Sequence, residues 1–238
     1  MEEKSLKDVI ASKIEYTALL PITSKKAIDR LCKEAKDFNF RSVVVLPTFL
    51  KRVKNNLKNT DIKVGTVVGF PLGGDLSSVK SYETLAALME GADEIDFVMN
   101  ISKFLDNELF EVQKEMKTIV EHVKKKDGIC KVIIETCLLD DMQKIKAARL
   151  VVDSGADFIQ TSTGFSKAGV SLEDVILLKK NLKDEIKIKA SGGIRTAEFA
   201  IELLKAGADT LGTSAGIKII MEAEMIEKEI KRSKIKLL

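Results

Sequence analysis

The chain alternates eight short runs of β-branched and apolar residues with longer amphipathic stretches, and this rhythm constrains its fold most strongly. Apolar runs of about four to eight residues are typical of buried strands, whereas apolar residues spaced i, i+3, i+4 are typical of helices. The runs lie at 14–19, 42–46, 63–69, 94–99, 131–136, 158–162, 186–190 and 209–213. Strands that alternate with helices build a parallel sheet. Eight such units predict a (β/α)₈ barrel, the TIM-barrel architecture.

The stretches between these runs support the same architecture. Helical patterns occupy 24–38, 104–125, 140–154, 171–183, 196–206 and 215–231. Gly91, Gly155 and Gly207 each precede a strand-like run, where the end of a helix needs positive φ. A doubly wound open sheet is the alternative fold, but it usually has fewer strands, and no G-x-G-x-x-G follows the first run. Pro occurs only 3 times and no Gly/Ser-rich linker is present, so we expect one domain over 1–238.

Composition excludes several classes of function. The 39 Lys and Arg are interspersed with 36 Asp and Glu, and aromatic residues make up only 5% without any Trp, which argues against a nucleic-acid face. No apolar run approaches the roughly 20 residues of a membrane span, and the first residues lack a signal-peptide pattern. The 3 Cys form no C-x-x-C pair, which is typical of reduced thiols in the cytoplasm. A lone histidine, His122, gives no basis for a metal site.

Glycine-rich turns follow the last three predicted strands. They read STGF at 162–165, SGGIRT at 191–196 and GTSAG at 212–216, and a helical pattern follows each of the latter two. Glycines allow several backbone N–H groups to approach one anion, and a helix N-terminus adds a positive dipole end. The alternative is that these glycines only form tight turns. We expect a phosphate site formed by Gly164, Gly192, Gly193, Arg195, Gly212 and Ser214.

Polar residues also alternate with apolar ones along the middle strands. Because alternate residues of a strand share a face, we expect one polar cluster inside the upper barrel. Its members are Asp96, Lys131, Glu135, Gln160 and Lys189. One interpretation is a balanced network of ion pairs. The other is an active site that holds a proton-transfer acid and a lysine, as is common near the carboxyl ends of barrel strands.

Six segments together resemble the deoxyribose-phosphate aldolase family. They are VGFPLGG (68–74), GADEIDFVMN (91–100), KVIIETCLL (131–139), GADFIQTSTGF (155–165), IKASGGIRT (188–196) and LGTSAG (211–216). The resemblance implies a (β/α)₈ class I aldolase that cleaves 2-deoxyribose 5-phosphate into glyceraldehyde 3-phosphate and acetaldehyde. It implies a phosphorylated sugar as the partner, no metal and no organic cofactor. A homodimer is common in this family.

The resemblance also implies roles for individual residues. Asp96 matches the proton-relay aspartate, Lys189 matches the second active-site lysine, and Lys131 and Glu135 match polar residues of the fifth strand. The glycine-rich turns, with Arg195 and Ser214, match the phosphate site.

One match fails, because the position of the Schiff-base lysine holds Gln160, and an amide cannot form an imine with a carbonyl. Other departures are Tyr16 for His, Leu20 for Lys, Val44 for Cys and Leu46 for Asn.

Because the position of the Schiff-base lysine holds Gln160, imine formation depends on Lys189. Two lysines and two acids in the predicted cluster balance each other, so we expect Lys189 to stay protonated and to be a poor nucleophile. We therefore expect an aldolase of weak or altered activity. The alternatives are a phosphosugar enzyme that catalyses enolisation or isomerisation, with Asp96 as base, and an inactive phosphosugar-binding homologue.

Overall fold

The computed structural model describes residues 5–235, and its centre is a closed barrel of eight parallel strands. The strands are β1 Ile14–Ala18, β2 Ser42–Val45, β3 Lys63–Val68, β4 Glu94–Val98, β5 Ile129–Ile133, β6 Phe158–Gln160, β7 Lys187–Ser191 and β8 Thr210–Thr213. Each strand pairs with the next along the chain, and β8 closes the barrel on β1. The predicted TIM barrel is confirmed.

Ten helices surround the barrel in the described part of the chain. They are α1 Leu6–Ala11, α2 Lys25–Asp37, α3 Leu50–Asn56, α4 Ser77–Met89, α5 Ile101–Leu105, α6 Leu109–Lys124, α7 Asp141–Ser154, α8 Leu172–Leu182, α9 Ala197–Ala206 and α10 Gly216–Ile235. Short 3₁₀ turns occupy Pro47–Phe49 and Thr136–Leu138. Among the described residues, no helix is long and apolar enough to span a membrane.

Local sequence signals set several helix boundaries. The Ser24 hydroxyl accepts a hydrogen bond from the backbone N–H of Ala27, which fixes the start of α2. A capping box begins α7, because Asp140 and Gln143 each accept the other's backbone N–H at 2.8 and 2.9 Å. Gly155 ends α7 with φ of 80°, a conformation that is unfavourable for residues with a Cβ.

Two predicted elements differ from the structure because a residue in left-handed conformation interrupts them. The stretch 104–125 is not one helix, because Asn107 adopts φ of 62° and separates α5 from α6. Asn tolerates this left-handed conformation better than most residues, so it can act as a helix stop. The predicted strand 131–136 is shorter at its end, since β5 stops at Ile133 and Glu135 turns the chain with φ of 51°.

Apolar side chains form a continuous core between the barrel and the helices. On β4, Ile95 and Phe97 are fully buried in this core, while Glu94 and Asp96 alternate with them and are also buried. The acids therefore lie on the inner face of the strand, inside the barrel. The fold thus places charged groups in its most enclosed space, where each needs a partner.

Candidate active site

A network of ion pairs occupies the interior of the barrel. Lys189 on β7 donates hydrogen bonds to Glu15 on β1 and to Asp96 on β4. Lys131 on β5 donates to Glu15 at 3.0 Å, to Glu94 at 2.5 Å and to Asp96 at 3.1 Å. All five side chains are at most 1% exposed. The structure thus brings together three of the predicted site residues, namely Asp96, Lys131 and Lys189.

Arg41 completes this network at the amino-terminal end of the strands. Its guanidinium lies 3.1 Å from a carboxylate oxygen of Glu15 and 2.8 Å from one of Glu94. The network therefore contains three carboxylates and three cations, and no net charge is left buried. Glu15, Glu94 and Arg41 were not predicted. The sequence does contain a signal for Glu15, because an acidic residue within an otherwise apolar strand indicates a position on the inner face of the barrel.

The charges of the network determine its protonation. Burial by itself raises the pKa of Glu15, but Lys131, Lys189 and Arg41 together hold it well below its usual range. Burial by itself lowers the pKa of Lys131, but Asp96, Glu15 and Glu94 together hold it above its usual range. Both groups are therefore charged at neutral pH. Lys189 lies between two carboxylates, and its nitrogen donates a hydrogen bond to each of them.

Glu135 does not belong to this network, and its predicted place in it was wrong. It follows the end of β5, and its carboxylate accepts hydrogen bonds from the backbone N–H of Thr163, at 3.3 Å, and from the Thr163 hydroxyl. The Thr163 hydroxyl oxygen in turn accepts the backbone N–H of Phe165 at 3.0 Å. Burial raises the pKa of Glu135, although the bonds from Thr163 oppose this shift. Glu135 thus holds the turn after β6 in shape.

The three glycine-rich turns border one cavity of about 790 Å³ at the carboxyl ends of the strands. All six residues of the predicted phosphate site line it: Gly164, Gly192, Gly193, Arg195, Gly212 and Ser214. Gly192 has φ of 88°, and a Cβ there would lie 3.0 Å from the Cα of Gly169, so only glycine fits. Asp96, Gln160 and Lys189 line the same cavity, whereas Lys131 lies beneath it and contacts Asp96.

Comparisons with known proteins identify the family. A model of the family described as DeoC/LacD family aldolase matches residues 15–222. A deoxyribose-phosphate aldolase of Caldicellulosiruptor saccharolyticus is 48% identical over 217 residues, which cover 91% of this chain and 99% of that protein. The chain belongs to the DeoC/LacD aldolase family. The resemblance seen in the sequence is thereby confirmed.

Other members of the family agree in sequence and in structure. Deoxyribose-phosphate aldolase 2 of Bacillus licheniformis is 46% identical over 215 residues, covering 90% of this chain and 96% of that protein. The structure of a deoxyribose phosphate aldolase from Aeropyrum pernix, described as a unique tetramer, superposes with a TM-score of 0.85 at 33% identity. That match covers 92% of this chain and 93% of that one.

The family resemblance directs attention to Gln160, at the last position of β6. Its side chain is 5% exposed, and its amide nitrogen donates to the Ser191 hydroxyl oxygen at 3.1 Å. Gln160 and Lys189 are register partners on neighbouring strands, so their side chains lie next to each other inside the barrel. An amide therefore stands beside Lys189, and the other lysine that lines the cavity, Lys26, lies on α2 outside the barrel.

Three of the four other departures expected from the family resemblance border the cavity. Tyr16, Leu20 and Val44 line it, and Leu46 precedes the first 3₁₀ turn without lining it. The Tyr16 hydroxyl donates to Glu34 on α2 at 2.8 Å. Burial, together with this bond to an anion, raises the pKa of Tyr16. Tyr16 therefore stays a neutral wall residue, and it cannot serve as a base near neutral pH.

The cavity also extends outside the barrel, over the first turns of α2. Arg30 lines this extension and donates to Glu34 at 2.8 Å, next to the Tyr16 hydroxyl. Part of the cavity wall is apolar, because Phe70 and Phe165 both line it and pack edge to face with ring centroids 5.3 Å apart. Neither Arg30 nor Glu34 was predicted as part of the cavity, since both belong to a helix whose pattern indicated only packing.

Proposed function

We propose that this chain is an aldolase-like lyase for 2-deoxyribose 5-phosphate, which yields glyceraldehyde 3-phosphate and acetaldehyde, and that its turnover is low. The observation that carries the proposal is the pair of hydrogen bonds from Lys189 to Glu15 and Asp96. An ammonium held between two carboxylates has no lone pair to attack a carbonyl carbon. Family membership supports the reaction class, and the protonated lysine accounts for the low rate.

The phosphate of the sugar supplies the anchor in this proposal. The turns around Gly164, Gly192 and Gly212 line the cavity, and Arg195 lines it beside them. Backbone N–H groups and a guanidinium suit a phosphate dianion. Asp96 and Lys189 line the same cavity, so a ligand anchored by its phosphate can reach them with its carbonyl end.

Slow cleavage can proceed without an imine. The bond between C2 and C3 breaks, and its electron pair forms the C1–C2 double bond of an enolate while the carbonyl π pair moves to the oxygen at C1. The C3 hydroxyl loses its proton to Asp96, so that C3 becomes the aldehyde carbon of glyceraldehyde 3-phosphate. The remaining N–H of the Lys189 ammonium stabilises the enolate oxygen. Protonation at C2 then releases acetaldehyde. A hydrogen bond to an enolate lowers this barrier less than an imine does, so a low rate is expected.

A second candidate function is enolisation or isomerisation of a phosphosugar. It is favoured by the pairing of Asp96 with Lys189 at the cavity, because a carboxylate can remove a proton next to a carbonyl while an ammonium stabilises the oxyanion. This reaction needs no nucleophile, and it is compatible with an amide at position 160.

One experiment separates these functions. The protein is incubated with 2-deoxyribose 5-phosphate in deuterated water, and NMR follows both glyceraldehyde 3-phosphate and deuterium at C2. Slow cleavage supports the proposal, and exchange without cleavage supports the second candidate. Binding without either reaction indicates an inactive phosphosugar-binding protein. Rapid cleavage with an imine that borohydride traps on Lys189 would contradict the proposed role of this lysine.

We also propose that the chain forms a homodimer through the outer face of α4. The two charged residues of this helix turn inward: Lys80 is fully buried and donates to Glu115 at 2.7 Å, and Glu83 accepts the backbone N–H of Gly69 at 2.8 Å. Tyr82 and Met89 point outward and are 74% and 85% exposed. The outer face of α4 is therefore apolar and uncharged, and it can pack against the same face of a second copy of the chain. The tetrameric Aeropyrum pernix relative supports self-association.

A further inference from the structure

The amide of Gln160 has one atom that the protein leaves unused. The Ser191 hydroxyl donates to the backbone carbonyl of Ser162 at 2.6 Å, so its oxygen is free to accept, and it accepts the Gln160 Nε2–H at 3.1 Å. These bonds fix which end of the amide is the nitrogen. Gln160 Oε1 is then directed elsewhere, and it is buried without a hydrogen-bond partner among residues 5–235.

An unpaired buried acceptor is rare in native proteins and is unfavourable unless something else supplies a donor. Gln160 lines the cavity, and a small rotation of its buried amide lets a bound ligand supply that donor. The ligand group must carry an O–H or N–H, because a carbonyl oxygen would place two acceptors against each other.

Lys189 offers the complementary group beside it. A lysine ammonium has three N–H bonds, and the described residues accept two of them, at Glu15 and Asp96. The third N–H can donate to an oxygen of the ligand. The end of the cavity therefore presents a donor from Lys189 next to an acceptor from Gln160, on neighbouring strands. This pair matches a carbonyl oxygen with a hydroxyl on the adjacent carbon.

The structure assigns to Gln160 the recognition of a hydroxyl at C2 of a phosphorylated aldose. This inference rests on the proposed function, since it takes the phosphosugar to bind in this cavity with its phosphate at the glycine-rich turns. In 2-deoxyribose 5-phosphate, C2 is a methylene and leaves Gln160 Oε1 unpaired. In ribose 5-phosphate, the C2 hydroxyl donates to it. Gln160 is therefore a specificity residue that favours 2-hydroxy sugar phosphates over 2-deoxy ones.

Calorimetric titration of the full chain tests this assignment, because ribose 5-phosphate and 2-deoxyribose 5-phosphate differ only at C2. We expect the wild-type protein to bind ribose 5-phosphate about tenfold more tightly or better. Gln160→Met keeps the length of the side chain and removes the acceptor, so it is expected to bind the two sugars equally. Gln113→Met is the matched control, since Gln113 lies on α6 and does not line the cavity. It is expected to keep the preference.

The outcomes distinguish this inference from the function on which it rests. If the wild-type protein binds neither sugar, both the proposed phosphosugar site and the role of Gln160 are wrong. If it binds both with equal affinity, the phosphosugar site stands and the role of Gln160 is wrong. The role is also wrong if folded Gln160→Met, verified by its circular dichroism, still prefers ribose 5-phosphate.

Discussion

Replacing Gln160 by lysine is expected to create an imine-forming amine in this cavity. The introduced ammonium would stand next to Lys189, at roughly the 5 Å that separates neighbouring strands. Two unit charges at that distance repel by about 3 kcal/mol at an effective dielectric constant of about 20, which favours the neutral amine roughly hundredfold. Glu15 and Asp96 cancel part of this repulsion, while burial further favours the neutral form of the amine. A free lysine is only about 0.04% neutral at pH 7, so a hundredfold increase gives roughly 1–10% here.

Reductive trapping measures this change. Protein is treated with acetaldehyde and borohydride, and peptide mass spectrometry locates the added ethyl group. Gln160→Lys is expected to carry it at position 160, while the wild-type protein carries none at Lys189. Gln113→Lys, the same substitution on α6, controls for a largely buried lysine outside the cavity. Trapping at Lys189 of the wild-type protein, or none at position 160 of the folded variant, would refute the reasoning.

Four further predictions concern the phosphate turns, the ion network and α4. Arg195→Gln is expected to weaken binding of 2-deoxyribose 5-phosphate roughly tenfold in calorimetry, and unchanged binding would exclude Arg195 from the phosphate site. Lys131→Met is expected to lower the free energy of unfolding in urea by about 3–5 kcal/mol, because it leaves buried carboxylates short of a cation. The exposed-pair control Lys51→Met is expected to cost less than about 1 kcal/mol, and equal losses would contradict the account. Because folding lowers the pKa of Glu15, the ionised carboxylate stabilises the folded state fully above its unfolded pKa, and this stabilisation is lost as pH falls. In urea titrations below about pH 4, the difference in unfolding free energy between the wild-type protein and Glu15→Gln is therefore expected to shrink. A difference that does not depend on pH would contradict this. Tyr82→Glu is expected to convert a dimer into a monomer in light scattering, and an unchanged mass would exclude the α4 face.

The strand order and the inward polar face could be predicted because both follow from local patterns. Eight β-branched runs predict the barrel, and alternation along β4 correctly places Asp96 on the inner face. The same reasoning failed for Glu135, because it extended β5 past the point where the chain leaves the strand. A residue in left-handed conformation breaks the alternation, and nothing in KVIIETC signals that break.

The full composition of the ion network could not be predicted because it depends on the closure of the barrel. Glu15 meets Lys131 and Lys189 across the interior, at 116 and 174 residues of separation along the chain. Arg41 enters from the end of the strands opposite the cavity. Such contacts arise from the stagger of neighbouring strands, which no single run of sequence specifies. The unpaired oxygen of Gln160 depends likewise on a serine contributed by another strand.

The protonation state of Lys189 tests the central claim most directly. Nitrogen-15 NMR of lysine-labelled protein at neutral pH counts the protons on each side-chain nitrogen through its coupling pattern, and Lys189→Arg assigns the signal. Because Glu15 and Asp96 both accept hydrogen bonds from this nitrogen, we expect three attached protons. A signal with two attached protons would show a neutral amine ready to attack a carbonyl, and it would contradict this account.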